Sequence, residues 1–289
     1  MQTNYMKRIL LLLLAVLPLC SYARKDKTAH VRWCSFNLRI NAREDALIGA
    51  SWESRRDRVC QWIQDNAIDI VGMQEVTTSM LPDVVERLPE YAYVAQGRWN
   101  REKGDEMVPV FWRKDKYEEL DHGTFWLSET PDSAGSRGWD AVFPRIATWV
   151  KLRDLATGKV FVALSTHFDH KGRQARIESV KLLQSKMLSI AGKNAAMLAG
   201  DFNMSDTSEG YAALVGGKYV LRDAYYMSPQ HTGVRYTYQA FSTVPPSRGP
   251  RGDFIFVSRQ ISVLQTHFEP DIPDLPLSDH NPIWADLEF

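Results

Sequence analysis

The chain has 289 residues, of which 44% are hydrophobic and 24% are charged, and it carries 35 basic and 35 acidic side chains. It contains no repeat or low-complexity segment, which excludes fibrous and largely disordered classes of protein. Proteins that hold long duplex nucleic acid through its phosphates usually have a strongly basic face, so the balanced charge disfavours that class.

The N-terminus has the pattern of a secretory signal peptide. Two basic residues precede an apolar segment at 9–19, which is too short to cross a bilayer as a helix, and small residues suited to cleavage follow it. We therefore predict a signal peptide at 1–23, a secreted or periplasmic protein, and no membrane span. A buried helix is the structural alternative. Lipoprotein anchoring through Cys20 is disfavoured, because Leu19 before it is not a small residue.

Residues 24–289 are predicted to form a single domain. They contain no linker at which to divide the chain, and the candidate functional residues are spread from the first predicted strand to the last. Loss of the two basic residues of the signal peptide leaves 33 basic against 35 acidic side chains, a charge of about −2.

Two cysteines remain after cleavage, Cys34 in a predicted strand and Cys60 in a predicted helix. In an oxidising compartment they could form a disulfide. Two separate thiols in the core are the more ordinary arrangement for neighbouring elements, and both alternatives stay open at this stage.

The order of the predicted elements favours an α/β protein with mixed sheets. Helices are predicted from apolar stripes of helical spacing at 51–66, 78–88 and 174–191. Strands are predicted at 31–36, 68–73, 92–96, 108–112, 147–152, 160–166, 195–199, 254–258, 261–267 and 283–289. Several strands follow one another without an intervening helix, so the sheets cannot be wholly parallel. Two packed sheets with helices on their outer faces fit this mixture.

Polar residues follow four of the apolar strands directly, and one further pair precedes the last strand. They are Asn37, Glu75, His167, Asp201 with Asn203, and Asp279 with His280. In α/β sheets the carboxyl ends of the strands are where binding sites are built. Two of these groups together, Gly200-Asp201-Phe202-Asn203 and Ser278-Asp279-His280, are hard to explain as turns alone.

In their order, these motifs resemble the endonuclease/exonuclease/phosphatase superfamily, nearest to its deadenylase and nocturnin branch. The resemblance covers about 32–289 and rests on Asn37, Gln74-Glu75, Thr166-His167, Gly200-Asp201-Phe202-Asn203, Asp253 and Ser278-Asp279-His280. It implies a four-layered α/β sandwich, in which two mixed β-sheets pack face to face with helices on the outer faces. One departure is Gly252, since members of the superfamily commonly carry Ile before this Asp.

The predicted metal ligands are Glu75, Asn37 and Asp279. Their oxygen atoms suit Mg²⁺ or Mn²⁺, whereas a structural zinc site would normally need a Cys/His quartet. Because Mg²⁺ keeps several of its waters, Glu75 is sufficient as the principal protein ligand. A salt bridge at the strand end is the structural alternative for this carboxylate.

The resemblance also implies catalytic roles. Asp201 orients or deprotonates the attacking water, and Asn203 contacts the water or the phosphate. His280 acts either as the base or as an imidazolium that stabilises the phosphoryl group, with its tautomer fixed by Asp253 or by the Asp beside it. His167 contacts a non-bridging phosphate oxygen.

Further substrate contacts are predicted outside the motifs. The candidates are Arg145, Arg98, Asp169, His170, Trp126 and Trp139. Both arginines could clamp phosphate or be solvated surface residues, and Asp169 and His170 could either line the site or cap the helix that follows. The aromatic stretch 122–145 is predicted as a connection that forms a wall or lid over the substrate, with simple packing as the alternative.

These features predict a secreted, Mg²⁺-dependent phosphoesterase that acts on a phosphomonoester or phosphodiester. The branch resemblance suggests a 3′-to-5′ exonuclease or a nucleotide phosphatase, with a phosphorylated small molecule or a short nucleic acid as substrate. A sphingomyelinase-like lipid phosphodiesterase is the enzymatic alternative. A catalytically dead binding module is disfavoured, because every motif residue is present. The sequence indicates no obligate protein partner.

Overall fold

The computed structural model describes residues 27–245, 249–272 and 276–289, so the predicted signal peptide lies outside the described residues. The strands are β1 (His30–Asn37), β2 (Ile70–Gln74), β3 (Val76–Thr77), β4 (Tyr91–Val94), β5 (Glu106–Met107), β6 (Val110–Arg113), β7 (Tyr117–Trp126), β8 (Ile146–Asp154), β9 (Val160–His167), β10 (Ala195–Asp201), β11 (Leu221–Asp223), β12 (His231–Gly233), β13 (Asp253–Ser258), β14 (Ser262–Phe268) and β15 (Ile283–Glu288). The α-helices are α1 (Trp52–Asp65), α2 (Leu81–Arg87), α3 (Arg173–Ala191), α4 (Glu209–Gly216) and α5 (Ala224–Met227), and a 3-10 helix spans Arg43–Ile48.

The strands form two large mixed sheets. Sheet 1 has the order β12-β14-β15-β1-β2-β6-β4, and sheet 2 has the order β11-β13-β10-β9-β8-β7. In sheet 1, β1 and β2 are parallel; in sheet 2, β9 and β10 are parallel, and each of these pairs has antiparallel neighbours. A short third ladder joins β3 to β5.

Three apolar clusters define four layers. The cluster between the sheets includes Trp33 and Ile70 from sheet 1 and Phe161 and Met197 from sheet 2. A second cluster joins sheet 1 to α1 and α2, and a third joins sheet 2 to α3 and α4. Each fully buried large apolar side chain contributes roughly 1.5–3 kcal/mol to folding. The predicted four-layered α/β sandwich is confirmed.

The central strands are buried on both faces, which explains their continuous apolar runs. Along β1, Trp33 faces the other sheet, whereas Cys34 and Phe36 belong to the cluster under the helices. At the end of β10, a Cβ atom on Gly200 would lie 2.2 Å from the carbonyl oxygen of Thr166. Only glycine therefore allows β10 to pack against β9 at this point.

The predicted helices agree with the structure within three residues at each end. The predicted connection 122–145 is wrong in its first part, because residues 122–126 complete β7 at the edge of sheet 2. Five central residues of β7 are exposed and mostly charged or polar, so the strand lacks the apolar signal of its neighbours. Cys34 and Cys60 are both buried free thiols. Within the described part of the chain, no helix has the length and apolar character to span a membrane.

Candidate active site

The strand topology brings the predicted motif residues to one edge of the sandwich. Asn37 is the last residue of β1 and Glu75 directly follows β2, while His167 and Asp201 end the parallel strands β9 and β10 of the other sheet. Asp253 begins the antiparallel neighbour β13 and lies in register with Asp201. Both sheets thus present polar side chains at the same edge.

The segment that carries His280 is fixed to the end of β1 by two buried side chains. The Ser278 hydroxyl donates to the Asn37 carbonyl at 2.7 Å. The Arg55 guanidinium donates to the carbonyls of Leu38 and Leu277, both at 2.8 Å. These contacts hold the Ser-Asp-His motif beside the strand ends, although it precedes β15 in the chain.

Asn37 lies between two carboxylates that come from different sheets. Its side-chain amide donates to Glu75 Oε1 at 3.2 Å and to Asp201 Oδ2 at 3.1 Å, and its oxygen accepts from the Arg39 backbone N–H at 3.0 Å. This orientation makes Asn37 a bridge between the carboxylates. For Asn37 to bind a metal beside these carboxylates, its side-chain amide would have to rotate so that the oxygen replaces the nitrogen. The role of Asn37 as a metal ligand therefore stays a prediction.

Glu75 adopts a left-handed backbone conformation, with φ of 60°, which is uncommon for this residue type. Its Oε2 atom accepts from the Ile40 backbone N–H at 3.0 Å, and the side chain lines the cavity described below. A non-glycine residue held at positive φ commonly marks a functional site, because the surrounding contacts must compensate for the strain.

Several buried carboxylates of the site repel one another. This repulsion indicates whether a metal cation would fit there. Burial, together with the charge of Asp253, raises the pKa of Asp201. Burial and the charge of Glu75 also raise the pKa of Asp279, although His280 opposes this. A divalent cation would relieve this repulsion, and carboxylate oxygens are the ligands that Mg²⁺ prefers. The residues present therefore fit a hard divalent metal, with Glu75 and Asp279 as the candidate ligands.

His280 and Asp253 form a buried hydrogen-bonded pair. Imidazole Nδ1 lies 2.8 Å from Asp253 Oδ2, and Nε2 lies 3.8 Å from Asp201 Oδ2. The ring centroid of Tyr238 is 5.0 Å from that of His280. Burial lowers the pKa of His280, but the carboxylates of Asp253, Asp201 and Asp279 outweigh it and raise this pKa well above its usual range.

Ligand atoms of Asp201, Asp253 and His280 also lie within 4.8 Å of one another, as they would around a metal. A metal would need a neutral imidazole there. The raised pKa of His280 and its hydrogen bond to Asp253 favour an imidazolium held by a carboxylate instead.

Asn203 and His167 form the opposite side of the site. Asn203 has φ of 48°, its backbone N–H donates to Asp201 Oδ1 at 2.9 Å, and its amide lies 3.0 Å from His167 Nε2. Asn tolerates this left-handed turn better than most residues. Burial and the charge of Arg145 lower the pKa of His167 to about 3, so the imidazole is neutral.

These side chains surround one cavity of about 710 Å³, called the central cavity below. It is lined by Arg39, Ile40, Glu75, Arg98, Glu106, Phe143, Arg145, His167, His170, Asp201, Asn203, Met204, Ser205, Tyr238, Pro250, Gly252, Asp279 and His280. A Cβ atom on Gly252 would meet the Asp201 carboxylate only at 3.8 Å. The space that a larger residue at this position would fill is therefore part of the cavity.

The two predicted phosphate clamps both line the central cavity. Arg145 is 5% exposed, and its Nη1 atom is buried with no hydrogen-bond partner among the described residues. Arg98 donates to Glu106 Oε1 at 2.7 Å. The alternative of a solvated surface arginine does not fit either residue.

Asp169 and His170 have different positions. Asp169 is buried outside the cavity lining, and its Oδ1 atom accepts from the Lys171 and Gly172 backbone N–H groups, while Oδ2 accepts from two N–H groups of the 127–145 connection. The structure therefore supports a turn-capping role for Asp169 before α3. His170 lines the cavity, and its Nδ1 atom accepts from Arg145 Nη2 at 3.2 Å.

The structure does not place the two predicted tryptophans on the central cavity. Trp126 is 6% exposed, packs against Val108 and Ile146, and donates from its indole N–H to the Arg98 carbonyl at 2.7 Å. Trp139 lies outside the cavity lining. The aromatic residue of this connection that lines the cavity is Phe143, which is 37% exposed.

Sequence reasoning also missed four polar residues of the site, of which Ser205 lies close behind Asn203 in the chain. Arg39 pairs with Asp45 through Nε at 3.0 Å and lies 3.9 Å from Asp279. Glu106 reaches the site through the β3–β5 ladder, in which it pairs with Thr77, and Tyr238 reaches it on an irregular segment. No local motif marks these residues, and distant parts of the chain bring Glu106 and Tyr238 to the site, whereas Arg39 follows closely after Asn37.

The profile of the Endonuclease/Exonuclease/phosphatase family matches residues 34–280 of this chain. The chain belongs to this family. Its members hydrolyse phosphoester bonds, and the predicted superfamily resemblance is confirmed. The family profile thus covers every motif that the sandwich brings to one edge.

Solved structures of similar proteins agree with this family assignment. An endonuclease/exonuclease/phosphatase from Bacteroides vulgatus is 46% identical, with a TM-score of 0.88, and the match covers 90% of this chain and 99% of that chain. A mannosyl-6-phosphatase from Bacteroides thetaiotaomicron is 35% identical, with a TM-score of 0.82 and coverage of 90% and 100%. The catalytic domain of human nocturnin is 18% identical, with a TM-score of 0.71 and coverage of 91% and 96%, which shows a shared fold alone.

Two proteins of Acanthamoeba polyphaga mimivirus are curated relatives. They are 28% identical over 165 residues and 22% identical over 192 residues. These matches cover 54% and 56% of this chain, but only 60% and 28% of the relatives' own lengths.

Proposed function

We propose that this phosphoesterase is a secreted, Mg²⁺-dependent phosphomonoesterase that acts on small phosphorylated molecules. The observation that carries the proposal is the convergence of Glu75, Asp279, Asp201, Asn203 and the His280–Asp253 pair on one cavity. Secretion is inferred from the apolar N-terminal segment in the sequence.

Each of these side chains has a different role in phosphoester hydrolysis. Asp201 accepts a hydrogen bond from the attacking water and orients it toward phosphorus. His280 acts as the imidazolium, which Asp253 holds in place, and its Nε2–H stabilises negative charge that develops on the phosphoryl oxygens. Asn203 and the neutral His167 contact a further phosphoryl oxygen.

A divalent metal held by Glu75 and Asp279 would neutralise phosphoryl charge as a Lewis acid. Arg145 adds a cation from the protein itself, and its unpartnered buried Nη1 atom lies within the wall of the cavity. A planar guanidinium matches the spacing of phosphate oxygens. Arg145 therefore binds the phosphoryl group of the substrate and also orients it for attack.

Two observations favour a small phosphomonoester. The chain without its predicted signal peptide has a charge of about −2, which gives little attraction for a long polyanion. In addition, the family includes a mannosyl-6-phosphatase that is 35% identical to this chain over nearly its full length. Sugar phosphates and nucleotides are both compact enough for the central cavity.

The test is a substrate panel with the purified chain and Mg²⁺. It compares p-nitrophenyl phosphate, hexose 6-phosphates and nucleoside monophosphates with short RNA, duplex DNA and sphingomyelin. We expect release of inorganic phosphate from the monoesters and little cleavage of the diesters. Efficient cleavage of RNA, DNA or sphingomyelin, with no release of phosphate from the monoesters, would overturn the proposal in favour of a nuclease or a lipid phosphodiesterase.

A further inference from the structure

The wall of the central cavity around Arg145 carries a group of residues that the proposed chemistry does not use. This group, called the outer subsite below, consists of Glu106, Arg98, Phe143 and His170, and all four line the cavity. One imidazole ring, that of His167, separates it from Asp201, since Nδ1 lies 3.6 Å from Glu106 Oε1 and Nε2 lies 3.6 Å from Asp201 Oδ2.

Glu106 presents one free carboxylate oxygen. Its Oε1 atom accepts from Arg98 at 2.7 Å and lies 3.9 Å from Arg145 Nη1. Its Oε2 atom accepts no hydrogen bond from the residues that the structure describes. A carboxylate held by guanidinium groups can accept hydrogen bonds from a ligand without leaving an unpaired charge in the cavity.

Phe143 adds an apolar surface that is fixed in position. Its ring stacks on His170, with centroids 6.0 Å apart and planes inclined by 23°, and the Arg98 guanidinium lies 4.9 Å from the ring centroid. The backbone N–H of Phe143 donates to the buried Asp169 at 3.3 Å. These contacts hold Phe143 in position, and the residue is still 37% exposed.

The outer subsite therefore combines a free carboxylate oxygen, a guanidinium and an apolar ring. A second phosphate group would be repelled by the Glu106 carboxylate, whereas hydroxyl groups can donate to it and accept from Arg98. The C–H surface of a sugar ring can pack against Phe143 in the same place. This combination suits an uncharged ring that carries several hydroxyl groups.

We infer that the outer subsite recognises the leaving group of the substrate, and that this group is a polyhydroxylated ring such as a hexose. The inference rests on the proposed phosphomonoesterase activity and narrows it from small phosphorylated molecules to sugar phosphates. Glu106 is then the residue that selects for hydroxyl groups, and Phe143 selects for the presence of a ring.

The experiment compares three phosphomonoesters with primary alcohol leaving groups. Mannose 6-phosphate has a ring with hydroxyl groups, cyclohexylmethyl phosphate has a ring without them, and methyl phosphate has neither. The variant Glu106→Gln removes the charge of the acceptor. The matched control is Glu102→Gln, because Glu102 is an exposed residue of the segment that precedes β5 and lies outside the cavity. Phe143→Ala removes the ring, and thermal melting checks that each variant is folded.

We expect Glu106→Gln to lower the ratio of kcat/KM for mannose 6-phosphate to kcat/KM for cyclohexylmethyl phosphate by about 10- to 100-fold, the range for hydrogen bonds to charged groups. Phe143→Ala should lower kcat/KM for both ring compounds relative to methyl phosphate, and Glu102→Gln should change neither ratio.

Two negative results are distinguishable. In the first case, the wild-type chain hydrolyses these monoesters, but folded Glu106→Gln leaves the ratio of kcat/KM for mannose 6-phosphate to that for cyclohexylmethyl phosphate unchanged. The outer subsite then does not recognise hydroxyl groups, and only this inference fails. If the wild-type chain hydrolyses none of the three esters, the proposed phosphomonoesterase function fails and the inference fails with it.

Discussion

Replacement of Asp253 by Asn tests the electrostatic account of His280. The carboxylate oxygen lies 2.8 Å from imidazole Nδ1, and both groups are buried. A hydrogen bond to a charged group contributes about 1.5–3 kcal/mol. Since one pKa unit corresponds to about 1.36 kcal/mol, loss of this charge should lower the pKa of His280 by about one to two units.

The direction of the change in activity follows because the proposed active form of His280 is the charged imidazolium. The imidazolium persists up to the pKa of His280, which the neighbouring carboxylates hold well above the usual range although burial opposes them. In Asp253→Asn, burial and the weaker contributions of Asp201 and Asp279 remain, so the charge is lost at lower pH. Activity should therefore decline at a lower pH on the alkaline side, and kcat on that side should fall by up to about 10- to 100-fold, the change in charged fraction that one to two pKa units produce.

Two measurements check this prediction. One is the dependence of kcat/KM on pH between about pH 5 and pH 9, and the other is the titration of the His280 ring followed by NMR. Asp132→Asn serves as the control, because its side chain is 86% exposed and pairs with Lys186. If His280 in folded Asp253→Asn titrates at the same pH as in the wild type, Asp253 does not stabilise the imidazolium.

Three further substitutions test the metal ligand, the packing of β10 against β9, and the role of Trp126. Glu75→Gln should raise the Mg²⁺ concentration for half-maximal activity by about tenfold or more without lowering Tm, and an unchanged Mg²⁺ requirement would remove Glu75 as a ligand. Gly200→Ala should destabilise the fold by about 1–3 kcal/mol or more in urea unfolding, because the new Cβ would lie 2.2 Å from a backbone oxygen, and an unchanged midpoint would contradict the close strand packing. Trp126→Ala should cost about 3–5 kcal/mol of stability, because the side chain is buried, with little change in KM for the folded protein, whereas a raised KM at unchanged stability would restore it as a substrate contact.

The positions of the motif residues could be predicted from the sequence because local patterns encode them. Apolar runs of strand length end at Asn37, Glu75, His167 and Asp201, and parallel strands necessarily present their carboxyl ends at one edge. The same patterns predict the order of the layers, since strands with continuous apolar runs must be covered on both faces. The mature domain boundary and the signal peptide stay predictions.

The outer part of the site could not be predicted because it depends on long-range pairing. Glu106 lies in a strand of two residues, and it reaches the site only because that strand pairs with β3, which directly follows Glu75 in the chain. The error over Trp126 has a related cause, because β7 is an edge strand whose exposed charged residues hide its strand pattern. The burial of its last residues is visible only once β8 is paired beside it.

We propose that the residues at this edge form a metal-dependent phosphomonoesterase site. The most direct test is release of inorganic phosphate from p-nitrophenyl phosphate by the purified chain, in Mg²⁺, in EDTA, and in EDTA followed by excess Mg²⁺, with Asp201→Asn measured in parallel. We expect turnover in Mg²⁺ that is lost in EDTA and restored by added Mg²⁺, and a loss of activity of about 10²–10⁴-fold in folded Asp201→Asn. Full turnover in EDTA, or wild-type rates in Asp201→Asn, would contradict this proposal.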